Sequence, residues 1–164
     1  IRAKVLGFAN CAAGTRHPYD PFNPIFDSQP LLRTMRTALK DAGVSVGEIS
    51  SISANGSSSV FYDPLEAKAI CELLGERSSA VPVYSIKGAL GQTGAVTPAL
   101  QAVAAALSIE NSFIPPTRNA DEQDARCQIN LVKGKPSRQE SKIVLTNAIG
   151  FGGFYYASTI FGNR

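Results

Sequence analysis

Lys87 ends a short apolar run, residues 81–86, and is followed by Gly88, Gly91 and Gly94 before an alanine-rich stretch opens at Ala95. A strand that runs through a lysine and a glycine turn into a helix gathers a cation, free backbone N–H groups and the positive end of a helix dipole. That combination suits an anionic or carbonyl group. The same pattern also serves plain packing, because glycines let a strand and a helix approach closely. Two more polar turns carry groups of the same kind: Asn55-Gly56-Ser57-Ser58-Ser59, and Asn147-Ala148-Ile149-Gly150-Phe151-Gly152-Gly153. Asn55 and Gln92 each offer an amide, which donates to a carbonyl oxygen but does not titrate near neutrality as imidazole does. The one histidine, His17, sits between Arg16 and Pro18 in a proline-rich stretch and reads as a loop residue. Cys11, Cys71 and Cys127 are far apart and odd in number. They predict neither a zinc site nor a disulfide framework, and each reads as a small buried or incidental side chain.

The elements that must hold these turns follow from hydrophobic periodicity. Strands are expected over residues 1–9, 48–54, 81–86, 128–132, 142–147 and 154–161, and helices over 31–41, 63–74 and 95–110. Asp63-Pro64-Leu65-Glu66 has the form of a helix start, with Asp63 as cap, Pro64 in the first turn and Glu66 completing a capping box. The helix over 95–110 is so rich in alanine and leucine that it should be buried on most sides. Alternating strands and helices, closed by a strand pair, predict α/β layers around a mixed sheet. Asn55, Lys87 and Gly150 all follow the carboxyl ends of strands, the edge where open α/β sheets bind ligands, so the three turns could meet.

With 164 residues the chain reads as one domain over 1–164, long enough to bury a real core. A net charge of +3, with the basic residues scattered, gives no footprint for nucleic acid. No apolar run reaches the length of a membrane helix, and a reducing cytoplasm fits the cysteine pattern. The absence of an initiator Met suggests a fragment or the second half of something larger.

Taken in order, Asn55-Gly56-Ser57-Ser58-Ser59, Asp63-Pro64-Leu65-Glu66-Ala67, Lys87-Gly88-Ala89-Leu90-Gly91-Gln92, Pro115-Pro116-Thr117 and the 147–153 turn resemble the C-terminal half of a β-ketoacyl synthase of the thiolase superfamily. The resemblance implies a thiolase-like mixed five-stranded sheet with helices on both faces, one of the two halves of a ketosynthase fold. It also implies a decarboxylative condensation in which two histidines hydrogen-bond the thioester oxygen as charge develops on it. Those histidines fall at Asn55 and Gln92, so both are replaced. Lys87 matches the family's lysine, and the carboxylate that commonly pairs with it falls at Gln101. Lys87 is then a leftover structural charge or a contact to phosphopantetheine. Phe151 matches the phenylalanine that gates the acyl pocket, or else caps the sheet, with Gly150, Gly152 and Gly153 shaping its turn as a substrate-binding loop. No metal and no bound cofactor are expected, since the substrates of such proteins arrive on the phosphopantetheine of an acyl carrier protein.

The pattern points to the chain length factor type, a non-catalytic ketosynthase homologue. Its expected partners are an active ketosynthase subunit and an acyl carrier protein, with no nucleic acid and no membrane. The alternative is a divergent active ketosynthase in which Asn55 and Gln92 rebuild the oxyanion hole, and a third reading is a structural or dimerisation module.

Overall fold

In the computed structural model the described residues are 2–12, 27–150 and 155–163. The proline-rich loop with His17, and Phe151, Gly152 and Gly153, lie outside them.

Six strands form one mixed sheet. They are β1 (Lys4–Ala12), β2 (Ser51–Ser53), β3 (Pro82–Tyr84), β5 (Asn130–Leu131), β7 (Ile143–Ile149) and β8 (Tyr155–Gly162), in the order β1-β8-β7-β2-β3-β5. β2 runs parallel to β3 and β7, while β8 is antiparallel to both β7 and β1. The sheet has six strands where the resemblance implies five; β5, at the edge beside β3, is the short strand that the periodicity places over 128–132. A second, two-stranded sheet joins β4 (Phe113–Ile114) to β6 (Ser137–Arg138).

Helices cover both faces. α1 (Gln29–Ala42) and α2 (Tyr62–Leu74) lie on one, and α4 (Thr97–Asn111) on the other. Strand alternation divides the core accordingly. Ile143, Leu145, Tyr156 and Ile160 join Leu31, Met35 and Ile70 under α1 and α2, whereas Val144 and Phe161 meet Ala105 and Ile109 of α4. α1 comes very close to β1, where Gly7 follows a break in register. A Cβ at Gly7 would stand 2.5 Å from the Ala42 nitrogen and 2.6 Å from the Ala38 oxygen.

Two local expectations change. The start of α2 is not a capping box: the helix begins at Tyr62, and neither Asp63 nor Glu66 bonds its own helix end. The turn after β3 is not a direct passage from strand to long helix either. A short α3 (Lys87–Leu90) comes first, then Gly91 with a φ of 79°, then a 3-10 turn over Gly94–Val96 that leads into α4.

Candidate functional site

Lys87 and Asn55 meet at the carboxyl edge of the sheet. Asn55 stands two residues past β2 and Lys87 opens α3; both are buried, and the Lys87 Nζ donates to the Asn55 Oδ1 at 2.8 Å. The Ile149 N–H at the end of β7 donates to the same oxygen at 3.1 Å. Two donors converge on one amide atom, which must therefore be the oxygen, so the orientation of this side chain is fixed by chemistry. Among the described residues the Nδ2 end makes no hydrogen bond, which leaves it able to donate to a carbonyl. Lys87 forms no ion pair among the described residues. Burial pulls its pKa below the usual lysine range, opposed by the charges of Glu66 and Asp63.

Beneath this pair the 55–58 turn is clamped by two carboxylates from α2. Glu66 accepts from the Asn55 N–H at 2.8 Å and the Gly56 N–H at 3.0 Å, and also from the Asn147 Nδ2 at 3.2 Å. Asp63 accepts from the N–H groups of Ser57 and Ser58, each at 2.9 Å. Burial raises the Glu66 pKa, and the Gly56, Asn55 and Asn147 hydrogen bonds hold it down in part. Gly56 has a φ of 39° and lies so close to Ser85 that a Cβ there would be 2.7 Å from the Ser85 Cβ. The Ser85 hydroxyl closes this contact by donating to the Gly56 oxygen at 3.1 Å. Reading Glu66 as a helix cap missed its place under the site; the signal was a carboxylate among apolar residues, with a polar turn just before it.

Gln101, the expected position of the missing carboxylate, is fully buried on α4 and does not reach Lys87 by any hydrogen bond. Its Nε2 donates to the Ser53, Ala54 and Asn147 carbonyls at 3.3, 3.1 and 2.9 Å, tying the ends of β2 and β7 together. Gln92 is exposed just after α3 and shares no hydrogen bond with Asn55. Of the residues singled out from sequence, Asn55 and Lys87 are hydrogen-bonded to each other, and among the described residues Gln92 makes no side-chain hydrogen bond to either. The Gly150 N–H donates to the Tyr155 oxygen at 2.8 Å, continuing the pairing of β7 with β8 past Ile149.

A cavity of about 500 Å³ opens beside this edge, between α2 and the 117–131 segment, and Ser58, Asp63, Glu66, Cys127 and Ile129 line it. Neither Asn55 nor Lys87 does, so it flanks the pair rather than holding it. Among the described residues no group of three or more His, Cys, Asp and Glu side chains is placed to hold a metal ion. None of their helices is long and apolar enough to cross a membrane.

The sequence profile of the family described as beta-ketoacyl synthase, C-terminal domain, matches residues 5–121. The chain is 35% identical over 130 residues to a 3-oxoacyl-[acyl-carrier-protein] synthase 2 of Rhizobium meliloti, covering 79% of this chain and 31% of that protein. It is 34% identical over 134 residues to the tetracenomycin polyketide synthase ketoacyl synthase alpha subunit of Streptomyces glaucescens, covering 82% and 32%. Among solved structures, the ishigamide ketosynthase/chain length factor superposes with a TM-score of 0.88 at 33% identity, covering all of this chain and 38% of that one. A type II polyketide synthase acyl carrier protein in complex with its ketosynthase gives 0.86 at 29% identity, covering 100% and 39%. The thiolase-like mixed sheet expected from the motifs is borne out. The chain spans about a third of the length of the curated relatives it matches.

Proposed function

This chain belongs to the β-ketoacyl synthase C-terminal domain family, and from that premise we propose that it is half of a non-catalytic subunit of the chain length factor type. Such a subunit pairs with an active ketosynthase in polyketide or fatty acid assembly and helps to shape the acyl pocket, while substrates arrive on the phosphopantetheine of an acyl carrier protein. The observation that carries the reading is Asn55. It occupies the position the family resemblance gives to a catalytic histidine, and its oxygen is already held by Lys87 and Ile149. An amide so placed cannot exchange protons with substrate, and the second replacement, Gln92, faces solvent. Losing one donor to a developing oxyanion costs roughly a hundred- to a thousand-fold in rate. With no titratable imidazole at either position, and only an amide to donate, little of the condensation remains.

The test is turnover. Incubated with an acyl thioester and malonyl acyl carrier protein but no partner ketosynthase, the full-length protein that carries this chain should yield no condensation product by mass spectrometry. Product formed by it alone would overturn the proposal.

A second reading, a divergent active ketosynthase, draws on the Asn55 Nδ2, which stays available to donate, and on likeness to proteins named as synthases. The residue at the nucleophile position in the N-terminal half of the protein decides between them: a helix-start cysteine favours the enzyme, and another residue the inactive partner.

A further inference from the structure

β2 reads Ser51-Ile52-Ser53, and alternation sends its two kinds of side chain to opposite sides of the sheet. Ile52, with Val83 of β3, joins the core under α1 and α2. Ser53 and its paired neighbour Tyr84 therefore face α4. From the helix, Gln101, Ala105 and Ser108 answer them at the spacing of one buried face. An alanine-rich helix thus meets the middle of the sheet through hydroxyls and an amide. Among the described residues, the buried side-chain atoms that make no hydrogen bond are Ser53 Oγ, Tyr84 Oη, Gln101 Oε1, Ser108 Oγ and Tyr156 Oη. Tyr156 sits under α1, and the other four belong to this one layer. Ser53, Tyr84 and Ser108 are each at 0% exposure, out of reach of bulk water. They stand close together all the same: burial raises the Tyr84 pKa, and Ser108 and Ser53 draw it down in part. A hydroxyl buried without a partner forfeits the hydrogen bond it had in water, and three side by side repeat that cost.

We propose that Ser53, Tyr84 and Ser108 form a binding site for one internal water molecule, which bridges α4 to β2 and β3. A buried water makes about three hydrogen bonds, and these three hydroxyls supply that number. Tyr84 donates to the water oxygen, and the water donates to the two serine oxygens, so each hydroxyl gains a partner. The position gives the water a task. Gln101, two turns before Ser108, ties the Ser53 and Ala54 carbonyls to that of Asn147, at the root of the turn that carries Asn55. Directional bonds through the water seat α4 at this point, beside the apolar packing that Ala105 and Ile109 supply.

A high-resolution crystal structure of the full-length protein that carries this chain tests the site. The expected result is one ordered water within hydrogen-bond distance of Tyr84 Oη, Ser53 Oγ and Ser108 Oγ. Hydroxyls that bond one another directly, or a site without solvent density, overturn the proposal. Urea unfolding of the same protein gives a second readout. Removing one arm of a water bridge strands the others, so Tyr84→Phe should shift the unfolding equilibrium about tenfold toward the unfolded state. Ser108→Ala should act in the same direction, and the double variant should cost less than the two single losses combined, because both remove the same water. A Tyr84→Phe protein as stable as the wild type, or more so, marks that hydroxyl as unpartnered and overturns the bridge even if solvent is seen nearby. Should Tyr84→Phe not fold, Ser108→Ala decides on the same terms.

Discussion

At Asn55 and Lys87 a buried ammonium has been given an amide for a partner instead of a carboxylate. The arrangement works because Asn55 Oδ1 also accepts from Ile149, so removing it orphans two donors at once. Asn55→Leu should therefore cost about 3 kcal/mol in urea unfolding, while Asn55→Asp, which keeps the acceptor and adds a counter-charge, should be near wild type at neutral pH. Equal losses in the two variants would show that Lys87 does not depend on this acceptor. The depressed Lys87 pKa gives a second prediction. The folded state holds that proton less tightly than the unfolded chain, so the penalty of a charged Lys87 is complete below its lowered pKa. It fades as pH rises toward the ordinary value of 10.5. Compared with Lys87→Met, the wild type should gain stability across that window, whatever constant offset separates the two proteins. Unfolding free energies measured at several alkaline pH values check this, and a gap that stays flat would contradict it. Using the difference between the two proteins removes the contributions of Tyr84 and Tyr156, whose raised pKa values act in the same range in both.

Elements place the site through contacts that motif reading captures only in part. The ends of β2, β3 and β7 do gather, as turns that follow strand ends suggest, but the strand order and parallel pairing that bring them together are not written in hydrophobic alternation, which sets only the face each side chain takes. What α2 does for them was not legible. Asp63 and Glu66 satisfy the local spacing of a capping box, yet tertiary donors in the 55–58 turn outcompete the helix's own N–H groups for both carboxylates. Gln101 is a similar case. Its alignment position announced a lost carboxylate, but only three-dimensional packing places its amide across the β2 and β7 carbonyls. Close approach of elements is equally silent in sequence, and Gly88 is the sharpest example. A Cβ there would run into the carbonyl of Arg118, which belongs to the segment that also positions Thr117 to accept from the Ser85 N–H at 3.0 Å. Gly88→Ala should lower stability by about 2 kcal/mol, since backbone and not a flexible side chain must yield. Gly43→Ala makes the comparison: it meets nothing within 4 Å, but its φ of 61° adds a left-handed strain of about 1 kcal/mol. Thermal melts that rank the two the other way would mean that the α3 contact with Arg118 is looser than its geometry implies.

For the molecule as a whole, the two sides of the sheet differ in how completely they are finished. Under α1 and α2 the core is closed, with Leu31, Leu32, Met35, Ile52, Ile70 and Ile160 all at 0% exposure. On the α4 side only a small cluster is covered, and Phe8, Tyr155, Val96 and Val103 face outward. A chain with that asymmetry can hold its fold through the first layer and yet remain adhesive on the second, because apolar area left in water drives association wherever it finds more of the same. The chain prepared alone should therefore self-associate as concentration rises, with no fixed stoichiometry, as sedimentation velocity would record. Val103→Glu should suppress that association. It should leave the melting temperature almost unchanged, since an exposed side chain contributes little to the closed core. A wild-type chain that stays monomeric at every accessible concentration would show that the α4 face is satisfied within the chain itself.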